Sequence, residues 1–187
     1  MIKKYFEGEY KRITVTTIVM ALLTCGAGVL LHFMFGWTGN NVFVGLFSSV
    51  NESTWEHLKL LFIPYAIFGI FEYAIYGKDI RNFFSAKFFG VVVGLLNIAM
   101  SYYFYTGAFG INNSAINIGI FFASVLIAYF CAWRRMIKPV RIGGGLWESL
   151  AILLFGAMCA LFFIFTLYPP EIPIFMDPVT KIYGIPR

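Results

Sequence analysis

The chain has 187 residues, is 60% hydrophobic and only 12% charged, and carries a formal net charge of +5 with a mean hydropathy of +0.79. A soluble domain is nearer half apolar and about a quarter charged, so that class is excluded. The positive balance comes with no basic stripe and no nucleic-acid fold signature, so no nucleic acid is expected as a partner and the charge is read as topology information.

Five stretches are long enough to cross a hydrocarbon core, which takes about 20 residues each. They run Thr14 to Phe35, Trp55 to Tyr76, Phe83 to Phe104, Ala115 to Trp133 and Leu146 to Tyr168. The expected fold is therefore all-α: a polytopic membrane helix bundle forming one integral membrane domain over residues 1–187. A cytoplasmic arm covers residues 1–13 and an extracytoplasmic tail covers residues 169–187. The first span contains Leu22-Leu23-Thr24-Cys25, close to a lipoprotein box. Thr24 in place of a small residue, and the apolar run that continues to Phe35, favour a retained span over a lipidated or cleaved one. Cys25, Cys131 and Cys159 all fall in apolar segments, so neither a disulfide framework nor a CxxC metal ribbon is indicated. Between the first two spans, Val42 to Val50 is apolar but too short to cross, and reads as an interfacial or re-entrant helix.

Basic residues alternate between connections. Lys3, Lys4, Lys11 and Arg12 precede the first span. Lys78 and Arg81, with Lys87 just beyond, follow the second. Arg134, Arg135, Lys138 and Arg141 follow the fourth. The connections from Gly36 to Asn51 and from Tyr105 to Ser114 contain no Lys or Arg. The N-terminus is therefore expected in the cytoplasm and the C-terminus outside, in a multi-pass protein of the cell membrane. That orientation gathers His32, residues 51–59, the loop Asn112-Asn113-Ser114 and the tail from Pro169 on the outer face. Prolines stiffen the tail, and Ile172, Ile174, Phe175 and Ile182 offer packing anchors, as in an ordered lid.

The densest chemistry is Val50-Asn51-Glu52-Ser53-Thr54-Trp55-Glu56-His57-Leu58-Lys59. At 100° per residue Glu52, Trp55, Glu56 and Lys59 share one helical arc, continued by Ser53 and His57. Two carboxylates beside a lysine and a histidine can hold a cation, perturb each other's ionisation or relay a proton. Ionisable groups at membrane depth are costly, which favours a site. The plainer reading is local: Ser49-x-x-Glu52 and Ser53-x-x-Glu56 fit capping boxes, Lys59 can snorkel and Trp55 can anchor at the interface. Capping does not account for His57 and Lys59 together one turn further in. The candidate ligand-binding set is Asn51, Glu52, Ser53, Trp55, Glu56, His57, Lys59 and Asp177. A divalent metal ion could take His32, His57 and Glu52, with Glu56 or Asp177 as further candidates; no HExxH motif is present and no cofactor is certain.

Other polar groups have structural readings beside functional ones. Glu148 opens the fifth span, where a helix N-terminus favours a carboxylate cap. Glu72 can pair with Lys78 or Lys87, or serve a proton path. Pro64 should kink the second span and free a carbonyl that could face the site. Gly90, Gly94 and Asn97 form a small, polar-edged face suited to helix contact. Gly143-Gly144-Gly145 reads as a flexible turn, since no phosphate-loop pattern surrounds it.

The run Val50-Asn-Glu-Ser-x-Trp-Glu-His-Leu-Lys-Leu60, with His32 upstream and Phe175-x-Asp177-Pro178-x-Thr180-x-x-Tyr183-Gly184-Ile185 downstream, resembles an uncharacterised family of small bacterial integral-membrane proteins. The resemblance implies an integral membrane protein of the bacterial cytoplasmic membrane and brings no activity with it. Ser49 stands where a proline is usual in that family. Asn51-Glu52 with Trp55 and His57 is also loosely similar to part of the seven-helix membrane hydrolases that include alkaline ceramidases and adiponectin receptors. Those carry a late HxxxH pair, and no histidine follows His57 here.

Three functions follow. The first is a bundle that binds or transports a small solute, ion or lipid group in an outward-facing pocket. The second is a metal-dependent hydrolase at the outer leaflet. The third is a membrane scaffold or assembly factor in which the motif only fixes packing. The bilayer is the expected partner, with a homo-oligomer or a partner membrane subunit as further expectations.

Overall fold

In the computed structural model, residues 2–138 and 145–185 are described. The side chains of Lys3 and Lys4, and Arg141, Gly143 and Gly144 of the fourth connection, lie outside that part. Six α-helices form: α1 Ile2–Trp37, α2 Val42–Gly45, α3 Thr54–Ile75, α4 Phe83–Phe109, α5 Ser114–Ile137 and α6 Gly145–Leu167. All but α2 are long and apolar enough to cross a membrane. Each expected span is thus found. The expected arm is not a separate element, because α1 is already helical from Ile2.

Local chemistry sets the starts. Asn41, Ser53 and Asn113 sit in extended backbone before α2, α3 and α5, and each side-chain oxygen accepts a hydrogen bond from the first turn. The Val42–Val50 stretch is shorter as a helix than expected, ending at Gly45. Val42 and Phe43 are exposed, while Ser48, Ser49 and Val50 are buried, so the segment dips back into the mouth of the bundle.

Leu61, Phe62, Val91, Val125, Ala128 and Phe162 form the centre of the core. Leu22, Ile70, Leu153 and Ile164 are exposed on the outer faces, as contact with lipid requires. The tightest pairing joins α4 to α5. A Cβ on Gly90 or Gly94 would collide with Ala128 and its backbone, and Asn97 Nδ2 donates to Ser124 Oγ at 2.9 Å beside them. The small, polar-edged face expected on the third span is this seam.

Towards one end of the bundle, Glu72 and Lys87 are both buried and ion-paired. Tyr76 Oη donates to Glu72 Oε1 at 2.6 Å, and Lys87 Nζ lies 3.8 Å and 4.2 Å from the ring centres of Tyr65 and Tyr129. Tyr129 Oη in turn meets Thr24 Oγ1 at 2.8 Å. Of the two partners considered for Glu72, Lys87 is the one used. Lys87 is therefore a core residue and not an interfacial topology charge, leaving Lys78 and Arg81 in that role. Glu148 lies in the first turn of α6, as expected, and its carboxylate also caps α4, accepting from the backbone N–H groups of Phe84 at 2.7 Å and Ser85 at 3.2 Å.

Candidate metal centre and ligand groove

At the other end of the bundle, the C-terminal end of α1 faces the starts of α3 and α5. The polar run before and within α3 is divided here by where each side chain points. Ser53 is the N-cap: its Oγ accepts from Glu56 N at 3.3 Å, and its carbonyl accepts from His57 Nδ1–H at 2.9 Å. Asn51 Oδ1 accepts from Ser53 N at 2.8 Å, completing the turn. Ser49 makes no cap, since no helix begins there; its hydroxyl lies 3.3 Å from His32 Nδ1.

Glu56 and Lys59 turn inward. Their side chains are 2% and 0% exposed and form a 2.6 Å ion pair. Lys59 Nζ also donates to the Gly45 carbonyl at 2.8 Å and to Thr166 Oγ1 at 2.7 Å. Glu56 Oε2 accepts from Val50 N at 3.0 Å. Every strong donor and acceptor of the pair has a protein partner, as a buried ion pair requires. Lys59 does not snorkel; it locks α2 and α6 to α3.

Glu52 behaves in the opposite way. It precedes α3, so it does not share the arc of Glu56, and its side chain is 52% exposed. Its carboxylate lies 3.8 Å from His32 Nε2 and 3.5 Å from His57 Nε2. The two imidazole rings are 5.3 Å apart, centre to centre. One ligand atom from each of the three residues falls within 4.8 Å of the others. Both His–Glu separations are too long for good hydrogen bonds. Each ring keeps Nδ1 for a partner behind it and turns Nε2 into the shared gap. A backing hydrogen bond on one imidazole nitrogen fixes the tautomer that leaves the other free to ligate. Ligands around a tetrahedral zinc ion sit about 3.3 Å apart, so a modest contraction, available to the half-exposed Glu52, closes the set.

Two hollows meet at this cluster, sharing Glu52, His57, Ser114, Asn117 and Phe121. One, of about 260 Å³, reaches Tyr102 and Asn112 and is roofed by Pro178 and Val179 of the tail. The other, of about 500 Å³, runs between α1 and α5 past Gly28 and Val29. Its floor includes Leu60, whose carbonyl receives no N–H from Pro64. Gly28 permits the close approach there, because a Cβ on it would come within 2.7 Å of that oxygen.

Asp177 and Asn51 hold the tail in place. Asp177 Oδ2 accepts from Glu52 N at 3.2 Å, and its Oδ1 accepts from Val179 N at 2.7 Å and Thr180 N at 3.1 Å. Burial alone would push this carboxyl up, but the N–H donors of Thr180, Val179 and Glu52 outweigh it and hold it below its usual range. Asn51 Nδ2 donates to the Gly184 carbonyl at 2.8 Å. Trp55 packs against Phe162, Phe165 and Phe175 under the tail, away from the hollows.

Of the ligand set expected from sequence, Glu52 and His57 line the hollows, and His32 joins them as the metal reading anticipated. Asn51, Ser53 and Asp177 build the turn and the latch, while Trp55, Glu56 and Lys59 belong to the packing. Asn117 was missed. Its spacing of three from Ser114 at the start of a helix is the signal that could have found it.

Fold and cluster together define a multi-pass helical membrane protein with ionisable groups gathered at one end of the bundle. The chain belongs to the family of unknown function DUF6512, whose model matches residues 1–185. This agrees with the uncharacterised membrane family that the sequence resembles. Neither curated proteins nor solved structures gave a match.

Proposed function

We propose that the chain is a membrane-embedded binding protein whose site is a divalent transition-metal ion held by His32, Glu52 and His57 at the mouth of the groove. The observation that carries this reading is the orientation of the two imidazoles, each backed at Nδ1 and turned at Nε2 towards one carboxylate, at 3.8 Å from His32 and 3.5 Å from His57. The alternation of basic connections supports putting this end of the bundle outside the cytoplasm. Transport across the membrane is the weaker form of the idea: beneath the cluster, Glu56 and Lys59 are saturated with protein partners and offer no stepping stone for a solute.

A catalytic version is favoured by one further feature. Three protein ligands leave a fourth position open, and here that position gives onto hollows large enough for a substrate. A metal-activated water there would make the protein a hydrolase of the outer leaflet, with Ser114 placed to orient the substrate, while Asn117 is held by Tyr105 and Asn112. The scaffold reading gives the His32–Glu52–His57 contacts a packing role and leaves the two hollows without a use.

The test is elemental analysis of the purified protein after exposure to zinc and desalting. One ion per chain, lost in His57→Ala and in His32→Ala with folding preserved, is the expected result. Absence of bound metal from well-folded protein, or retention of it in both variants, overturns the proposal.

A further inference from the structure

The larger hollow is not a cup closed to the sides. Four residues of its lining also lie on the outer surface of the bundle: Val29 and Phe33 on α1, and Ile118 and Phe122 on α5, which are 40%, 49%, 53% and 37% exposed. These helices diverge towards the cluster and meet further in. Phe121 packs at Gly28, and one turn deeper the Thr24–Tyr129 hydrogen bond ties α1 to α5. The result is a crevice, open in the plane of the bilayer and apolar along its sides, with the free Leu60 carbonyl on its floor and its polar side chains at one end.

From His32 to Gly28 is four residues, so the slot is about 6 Å deep along α1. That depth takes the first few methylenes of a chain, whose remainder extends sideways into lipid. The polar end selects the charge. Among the described residues, neither hollow is lined by a Lys or Arg. With a divalent ion in place, one carboxylate and two neutral imidazoles leave a net charge of +1. The N-terminus of α5 at Ser114 adds its partial positive charge beside the same spot.

We propose that the groove binds a single-chain amphiphile with an anionic oxygen head group, which enters sideways from the bilayer between α1 and α5 and sets its head against the metal and Ser114. This rests on the metal reading for the sign of the head group, and on the crevice alone for the acyl chain. A water-soluble anion would have no use for the apolar slot.

The experiment follows thermal unfolding of the full, zinc-loaded chain in a neutral detergent. Palmitoyl glycerol phosphate, glycerol phosphate and palmitoylcholine are compared at equal concentrations. The anionic acyl compound is expected to raise the midpoint saturably, and the other two to leave it in place. Val29→Trp and Ile118→Trp fill the crevice mouth from positions that already face lipid. Each should abolish the shift while keeping one zinc per chain, which also reports correct folding. Glycerol phosphate acting as well as its acyl form overturns the proposal, as does a stronger response to palmitoylcholine or a full shift surviving in both tryptophan variants. A zinc-bound protein indifferent to the acyl compound sinks the crevice and spares the metal. A Val29-dependent acyl shift without bound zinc supports the crevice and sinks the metal.

Discussion

Two kinds of ionisable cluster coexist in one bundle. Glu56–Lys59 and Glu72–Lys87 are buried, and their polar atoms are met by protein: Gly45, Val50 and Thr166 around the first, Tyr76 and the tyrosine faces around the second. His32–Glu52–His57 is half-exposed, its members stand just beyond hydrogen-bonding range of one another, and it opens onto two hollows. Both kinds would be flagged by the cost of charge in a membrane. What separates the two is satisfaction: the closed networks hold helices together, whereas the longer contacts of the half-exposed cluster are the reason a ligand is proposed there.

The comparison breaks most sharply at Lys59. Lys59→Met leaves Glu56 as a lone buried carboxylate, which should cost about 3–5 kcal/mol of stability. The double variant Glu56→Gln with Lys59→Met should recover much of that loss, as read by thermal unfolding in detergent. His57→Ala should do the reverse: stability within about 1 kcal/mol of the parent, but a zinc affinity reduced beyond the roughly 10–100-fold typical of losing a backing group. Equal destabilisation by the two substitutions would erase the distinction drawn above.

A smaller effect is expected at Ser49, which touches His32 from behind. Ser49→Ala should weaken zinc binding by about tenfold, at the low end for such groups, and leave unfolding unchanged. The smallest concerns the latch. Since the folded Asp177 carboxyl titrates below its usual value of 3.8, its ionised form adds stability that is fully present above that value. The contribution is lost as pH falls through the lower folded value. Asp177→Asn should cost about 1 kcal/mol at neutral pH, as the loss of a capping group does, and should flatten the acid limb below pH 3.8. An unchanged acid limb would show that the tail is held by its apolar anchors alone.

The sequence carried the spans well, because a run of about 20 apolar residues has few alternatives to a crossing helix. It also placed His32, Glu52 and His57 on one face through the alternation of basic connections. It could not tell Glu52 from Glu56. A helical arc drawn through residues 52–59 assumes a helix already formed at Glu52, but α3 starts at Thr54, so Glu52 leaves the arc while Glu56 and Lys59 point to α6. Glu148 was legible in part: its place in the first turn of α6 could be read, but not the N–H groups it caps on α4, the first of them 64 residues away. Asn117 was overlooked because a single amide near a helix start gains meaning only once α1 and α3 stand beside it.

The tie between Asn51 and the Gly184 carbonyl joins positions 133 residues apart. During synthesis, α3 is therefore made long before the segment that fixes its first turn has left the ribosome. The turn that carries Glu52, held at its N–H by Asp177, is complete only after the tail has docked. A partly made chain thus has its spans but no finished mouth.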